Sequence, residues 1–223
     1  MTTNILKAMI SLLLLLLVTG CATIQGGSVG SEATADEYTK FKDSKGVVIL
    51  AINWSRRWNC GGYENAEIMS LGFDPLPIKG PVVHNPSAII LDGPPRLAKT
   101  PQFMDYALLL EPGEYALTSF DIKAARSISD VGRFVAKRDD LIQDDKPIAG
   151  SFQLKSGEIV YIGNFFLDCF QSPTLWRYYT EGRDAFEKHM GEVKQKYPFI
   201  DPATVNYRLF QTTTIGNGYE LPK

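Results

Sequence analysis

Residues 108–120 read LLLEPGEYALTSF and residues 152–165 read FQLKSGEIVYIGNF, and these two stretches decide the fold. Each sets an apolar run against a short break and then resumes in strand composition. In the first, Pro112 presets φ at the second turn position, and Gly113 suits the positive φ that a type II turn asks of the third. In the second, Lys155-Ser156-Gly157 separates Ser151–Leu154 from Glu158–Leu167. Both stretches are expected as β-hairpins. Simple alternation puts Ile159, Tyr161 and Phe165 on one face of the last strand, and Val160, Ile162 and Phe166 on the other. Both faces are apolar, so each needs a cover. A second sheet serves for one, a helix for the other.

That helix is legible between Glu181 and Tyr197. Phe186, Met190, Val193 and Tyr197 are spaced four, three and four residues apart, a single helical stripe. Glu192 and Lys196 stand as a favourable i,i+4 pair. Pro198 ends the helix, and Asp201-Pro202 caps a further short turn. Upstream, Gly46–Trp54 (GVVILAINW) is a β-branched run and a first strand. Glu67–Phe73 and Ala88–Asp92 are further strands, and Val205–Thr214 has the composition to return to a sheet. Pro75, Pro77, Gly80, Pro81 and Pro86 mark a stretch that is neither helix nor central strand. Ala124–Gly150 is polar and reads as a surface excursion. Its Asp139, Asp140, Asp144 and Asp145 lack the ligand alternation and glycine of a calcium loop and read as a solvated face. The expected fold is mainly β: an antiparallel β-sandwich with one C-terminal amphipathic helix, over residues 38–223. The two quoted patterns are similar to small β-sandwich modules of bacterial envelope lipoproteins, a resemblance that implies a fold and little about activity.

The N-terminus speaks of location. Lys7 precedes the apolar run Ala8–Val18, which contains six consecutive leucines and is too short to span a bilayer comfortably. A charged start, a greasy core and small residues before a cut site are the marks of a secretory signal over residues 1–20. Val18-Thr19-Gly20-Cys21 resembles the lipobox of bacterial lipoproteins. The resemblance implies cleavage before Cys21, acylation of its thiol, and a lasting membrane anchor once two or three chains are attached. Ala22 stands where an aspartate favours inner-membrane retention in Gram-negative relatives, so the resemblance points to the outer membrane. Residues 21–37, rich in glycine, serine, alanine and threonine, are expected as a flexible tether.

Composition excludes some partners. The 23 lysines and arginines lose one with the signal, leaving 22 against 25 acidic side chains. A net charge of −3 argues against nucleic acid. With Cys21 lipidated, Cys60 and Cys169 form an even pair in an oxidising compartment, and a disulfide is the economical reading. The alternative is two buried thiols packing as small hydrophobes. Two cysteines and two distant histidines show no ligand spacing, so no metal or other cofactor is expected.

One candidate surface depends on the pairing. Trp54-Ser55-Arg56-Arg57-Trp58 leads into Cys60, and Cys169 leads to Trp176-Arg177-Tyr178-Tyr179. A bond between the cysteines brings Trp54, Arg56, Arg57, Trp58, Trp176 and Arg177 to one end of the domain. Such a surface stacks on sugar rings and binds phosphate or carboxylate; the same residues also serve as cation–π packing around a stapled loop. His84, in a proline-rich loop, and His189, beside the helical stripe, read as solvent-facing or structural. The expected role is therefore a non-catalytic one: binding or organising an envelope glycan, lipopolysaccharide or protein partner. The alternatives are an envelope hydrolase using Cys60 or His84, and a subunit of a multiprotein envelope complex.

Overall fold

The computed structural model describes residues 32–78, 87–95 and 102–222. Cys21, His84 and the signal segment lie outside the described residues. The chain is mainly β, with sheets packed face to face and a helix near the C-terminus. One sheet orders its strands β12 (Thr174–Tyr178), β11 (Ile159–Asp168), β1 (Gly46–Ile52) and β5 (Met104–Leu110), with β13 (Val205–Tyr207) also on β11. The other orders β10 (Ser151–Leu154), β6 (Gly113–Ala125), β3 (Tyr63–Leu76) and β2 (Arg57–Cys60). In that second sheet β4 (Ile89–Asp92) pairs with β3, and β7 (Val131–Ala136) pairs with β6.

The sandwich differs from the expected one in its connections. β5 pairs with β1, whereas β6 pairs with β3 and β10. The Glu111-Pro112 turn is therefore an arch between sheets and not a hairpin, and Gly113 is already a strand residue without positive φ. The Ser156-Gly157 turn does the same between β10 and β11. The pairing in these sheets is mostly antiparallel, but β1 runs parallel to β11, Val47 opposite Ile159. Turn chemistry is local, while the partner of a strand is set by which apolar faces meet at long range. Pro75 lies within β3, opposite Tyr115. It is tolerated there because β4 covers only Ser70–Phe73 on the strand's other side.

A bulge in β11 rearranges both faces of the first sheet. Ile49 faces Tyr161, but Ala51 faces Asn164, so the strand gains one residue around Gly163. Gly163 sits at φ 109°, and a Cβ there would meet the Arg177 side chain at 2.7 Å and the Tyr178 carbonyl at 2.8 Å. The bulge flips the alternation. Val160 and Ile162 point into the sandwich core before it, and Phe165 and Leu167 after it. Ile159 and Tyr161 point the other way, toward the helix. The expected grouping of Phe165 with Ile159 and Tyr161 is thus corrected by one backbone irregularity.

The core has two layers. Between the sheets, Phe73 stands edge-on to Phe152, Phe165 and Phe210 at 6.0, 6.1 and 6.3 Å. Outside the first sheet lies the helix Arg183–Lys196, whose Phe186, Met190 and Val193 are buried, followed by the buried Tyr197. They pack on Val47, Ile49, Ala107, Ile159 and Tyr161. Its Lys196 reaches Glu32 at 3.0 Å and the Asp105 carbonyl at 2.7 Å. Residues 32–37, assigned to the tether by composition, belong to the folded unit. Ala33 donates its N–H to the Ala107 carbonyl at 2.7 Å, and Thr34 and Glu37 form a reciprocal capping box on the helix Ala35–Phe41.

The excursion after β6 is more ordered than its polarity implies. β7 pairs with β6 along an exposed edge, and Arg138–Leu141 is a single helical turn. Asp144 and Asp145 take positive φ between the short paired strands β8 (Ile142–Gln143) and β9 (Lys146–Pro147). Arg138 donates to Asp74 through Nε at 2.7 Å and Nη2 at 2.6 Å, both side chains nearly buried. Burial pushes the Asp74 pKa up, but hydrogen bonds from Arg138, Thr118 and the Ala88 N–H outweigh it and hold the carboxyl below its ordinary range.

Candidate functional site

Cys60 and Cys169 are joined by a disulfide, so the two aromatic segments do meet. Gly61 seats the junction at φ 55°, its N–H donating to the Cys169 carbonyl at 3.1 Å. The bonded sulfur of Cys60 is not a free thiol, which removes it as a nucleophile.

The six expected surface residues divide. Trp54 follows β1 into the core, is 1% exposed, and donates its indole N–H to the Tyr106 hydroxyl at 2.7 Å. Trp58 lies on the edge strand β2, 56% exposed, with the Arg56 guanidinium 5.4 Å from its ring centre. Arg56 is also within 3.9 Å of the buried Glu67. Arg57 is exposed and sits over the Phe166 ring at 5.8 Å. On β12, Trp176 is half-buried beside its cross-strand partner Phe166, and alternation sends Arg177 to the opposite face, where it is 2% exposed. Trp58, Arg56, Arg57 and Trp176 thus belong to the surface, and Trp54 and Arg177 do not.

Two depressions run across the outer face of the first sheet, and they share Phe103 and Asn164. One, of about 300 Å³, is lined by Arg57, Phe103, Phe166 and Tyr178. Phe103 meets Phe166 edge-on at 6.0 Å, and Phe103 and Tyr178 are 38% and 37% exposed. The other, of about 450 Å³, is polar, with Asp105, Thr180, His189 and Glu192 in its wall. There the His189 ring lies 2.8 Å from Asp105 Oδ1 through Nε2 and 3.3 Å from Thr180 Oγ1 through Nδ1. The Tyr161 hydroxyl is 3.2 Å from the same threonine oxygen and donates to Asn164 at 2.9 Å. Burial pushes the Tyr161 phenol up to about 12, so it stays a neutral donor. These hydrogen bonds hold Asp105, His189, Thr180 and Asn164 in place along the polar wall of the groove. Comparison with protein-family models, with characterised proteins and with solved structures finds no match to the chain.

The groove joins an aromatic half to a polar half. A saccharide has the same division, with apolar ring faces for stacking and hydroxyls for hydrogen bonds. Arg57 adds a point where a phosphate or carboxylate would be favoured. Sequence reasoning reached Arg57 and Tyr178 through the disulfide. It missed Phe103, Phe166 and the engaged His189. Phe166 was hidden by the bulge: uninterrupted alternation groups it with the core-facing Val160 and Ile162, whereas the extra residue turns it to the outer face beside Asn164, Trp176 and Tyr178. Glycine within an apolar strand is the sequence mark of such a bulge.

Proposed function

We propose that the protein is a lipid-anchored envelope lipoprotein whose folded domain binds an envelope glycan or lipopolysaccharide without catalysing a reaction. The anchor rests on Val18-Thr19-Gly20-Cys21 and the leucine run before it. The binding role rests on one observation: exposed aromatic rings and Arg57 line a groove whose far half is polar and held by hydrogen bonds. The outer membrane is the expected location, from Ala22.

The test has two arms. Intact-mass analysis of membrane extracts should give an acylated chain beginning at Cys21, and Cys21→Ser should leave the protein soluble. Purified full-length protein should bind lipopolysaccharide or envelope glycan, and Phe166→Ala should weaken that binding without lowering thermal stability much. A Cys21→Ser protein that remains membrane-bound counts against the anchor. Undiminished binding in Phe166→Ala counts against the groove.

A second reading is favoured by β7, which exposes Val131, Phe134 and Val135 at 48%, 38% and 50% along a sheet edge. An apolar edge strand invites pairing with another chain, as a subunit of an envelope complex would use it. Crosslinking from a β7 position in intact cells separates the readings: a single specific adduct supports a complex, and none supports a free-standing binder.

A further inference from the structure

A second cleft, of about 800 Å³, is lined by residues 205–213, by Arg183 and Phe186 of the helix, and by residues 218–221 of the C-terminal strap 215–222. Arg177 forms part of its wall. Its guanidinium is almost wholly buried, and Nε and Nη1 have no hydrogen-bond partner among the described residues. Nη2 alone is engaged, donating to the Asn217 carbonyl at 2.7 Å. The described groups that act on this cation are the tyrosines Tyr207, Tyr161 and Tyr179, and no carboxylate is among them. Burial raises the pKa of Tyr207 and of Tyr161, so neither supplies a negative charge near neutral pH.

The neighbouring arginines show the contrast. Arg208 is closed by Glu158 at 2.7 and 2.8 Å. Arg183 has Glu187 at 4.0 Å and the Pro222 carbonyl at 2.8 Å. Arginine does not escape its charge by deprotonation, so an unpaired buried guanidinium is costly to keep. Two glycines are shaped around it. A Cβ on Gly163 would meet its Cδ at 2.7 Å, and one on Gly216 would meet its Nε at 3.1 Å.

We propose that this cleft binds a small ligand carrying an oxyanion, carboxylate or phosphate, with the unpaired N–H groups of Arg177 as the anchor. The volume suits a ligand of one or two sugar rings, and Tyr207, Tyr219 and Phe186 offer ring faces beside the charge. The Asn217 carbonyl is the internal stand-in for the anion, so the strap lifts to admit it. The strap is pinned at its ends, where the Arg177 N–H donates to the Ile215 carbonyl at 2.5 Å and Arg183 donates to the Pro222 carbonyl at 2.8 Å; between them Gly182 donates its N–H to the Tyr219 hydroxyl at 2.9 Å, and Tyr219 stacks on Tyr179 at 4.4 Å. This site is separate from the groove of the proposed function and does not depend on it.

The test is a titration of the full-length chain with inorganic phosphate, glucuronate and glucose, each against matched chloride, read on the arginine Nε–H resonances. The expected result is a saturable shift of the Arg177 resonance with phosphate or glucuronate and none with glucose. In calorimetric titrations with the same ligands, Arg177→Met should lose about tenfold or more in affinity, while melting at an unchanged or higher temperature. Arg177→Lys keeps the charge and should retain part of the binding. Absence of a saturable Arg177 shift with both oxyanions overturns the proposal, whether or not the variants fold. So does binding that persists undiminished in Arg177→Met.

Discussion

Cys60 and Cys169 stand 109 residues apart in sequence and 4.5 Å apart between Cα atoms, and their bond ties the edge strand β2 of one sheet to the end of β11 in the other. A closed loop of this length removes much entropy from the unfolded chain. Reduction, or the double change Cys60→Ala and Cys169→Ala, should lower stability by about 2–5 kcal/mol. Denaturant titration with and without reductant measures it. An unchanged midpoint would show that the bond forms too seldom to matter.

The tryptophans should behave oppositely. Trp54→Ala removes a buried ring and its hydrogen bond to Tyr106, and should cost about 3–5 kcal/mol. Trp58→Ala removes a ring that is more than half exposed, and should stay within about 0.5 kcal/mol of wild type. Thermal melts of the two variants side by side decide the matter.

The Asp74–Arg138 pair should leave a mark on acid stability. The folded carboxyl titrates below its ordinary value, so it contributes stability that is present above the unfolded pKa of about 3.9 and is lost as pH falls through the lower folded value. Removing the partner with Arg138→Met strands a buried carboxylate and should cost about 3–5 kcal/mol at neutral pH. The penalty should shrink as the pH is lowered, because protonation relieves the unpaired charge. A penalty independent of pH would assign Arg138 a packing role.

The groove should separate rings from charge. An Arg57 contact to a phosphate weakens as ionic strength rises, since the screening length is about 8 Å at physiological salt and about 3 Å at 1 M. Stacking on Phe166 should persist. Arg57→Ala should therefore flatten the salt dependence of binding, and Phe166→Ala should lower affinity at every salt concentration.

Parts of this were legible in the sequence and parts were not, for physical reasons. The stripe Phe186, Met190, Val193 and Tyr197 gave the helix, because helical neighbours are close in sequence. The even cysteine pair indicated the disulfide. The EPGE and KSGE turns marked where strands end, but the strands on either side join different sheets, a choice made by long-range packing. Trp54 and Trp58 are four residues apart in similar company. One continues a buried central strand and the other rides an edge strand, and local composition does not distinguish them. Arg177 resembles Arg57 in sequence. Only the bulge at Gly163 and the strap through Gly216 and Asn217 make it a buried cation.

The most direct measurement of the central claim is binding of purified lipopolysaccharide or envelope glycan to full-length wild type, Phe166→Ala and Arg57→Ala, at low and high salt, with the melting temperature of each. Near-wild-type melting is expected for all three, with binding lost in Phe166→Ala and weakened mainly at low salt in Arg57→Ala. Equal binding by all three proteins at both salt concentrations would contradict a ligand site in the groove.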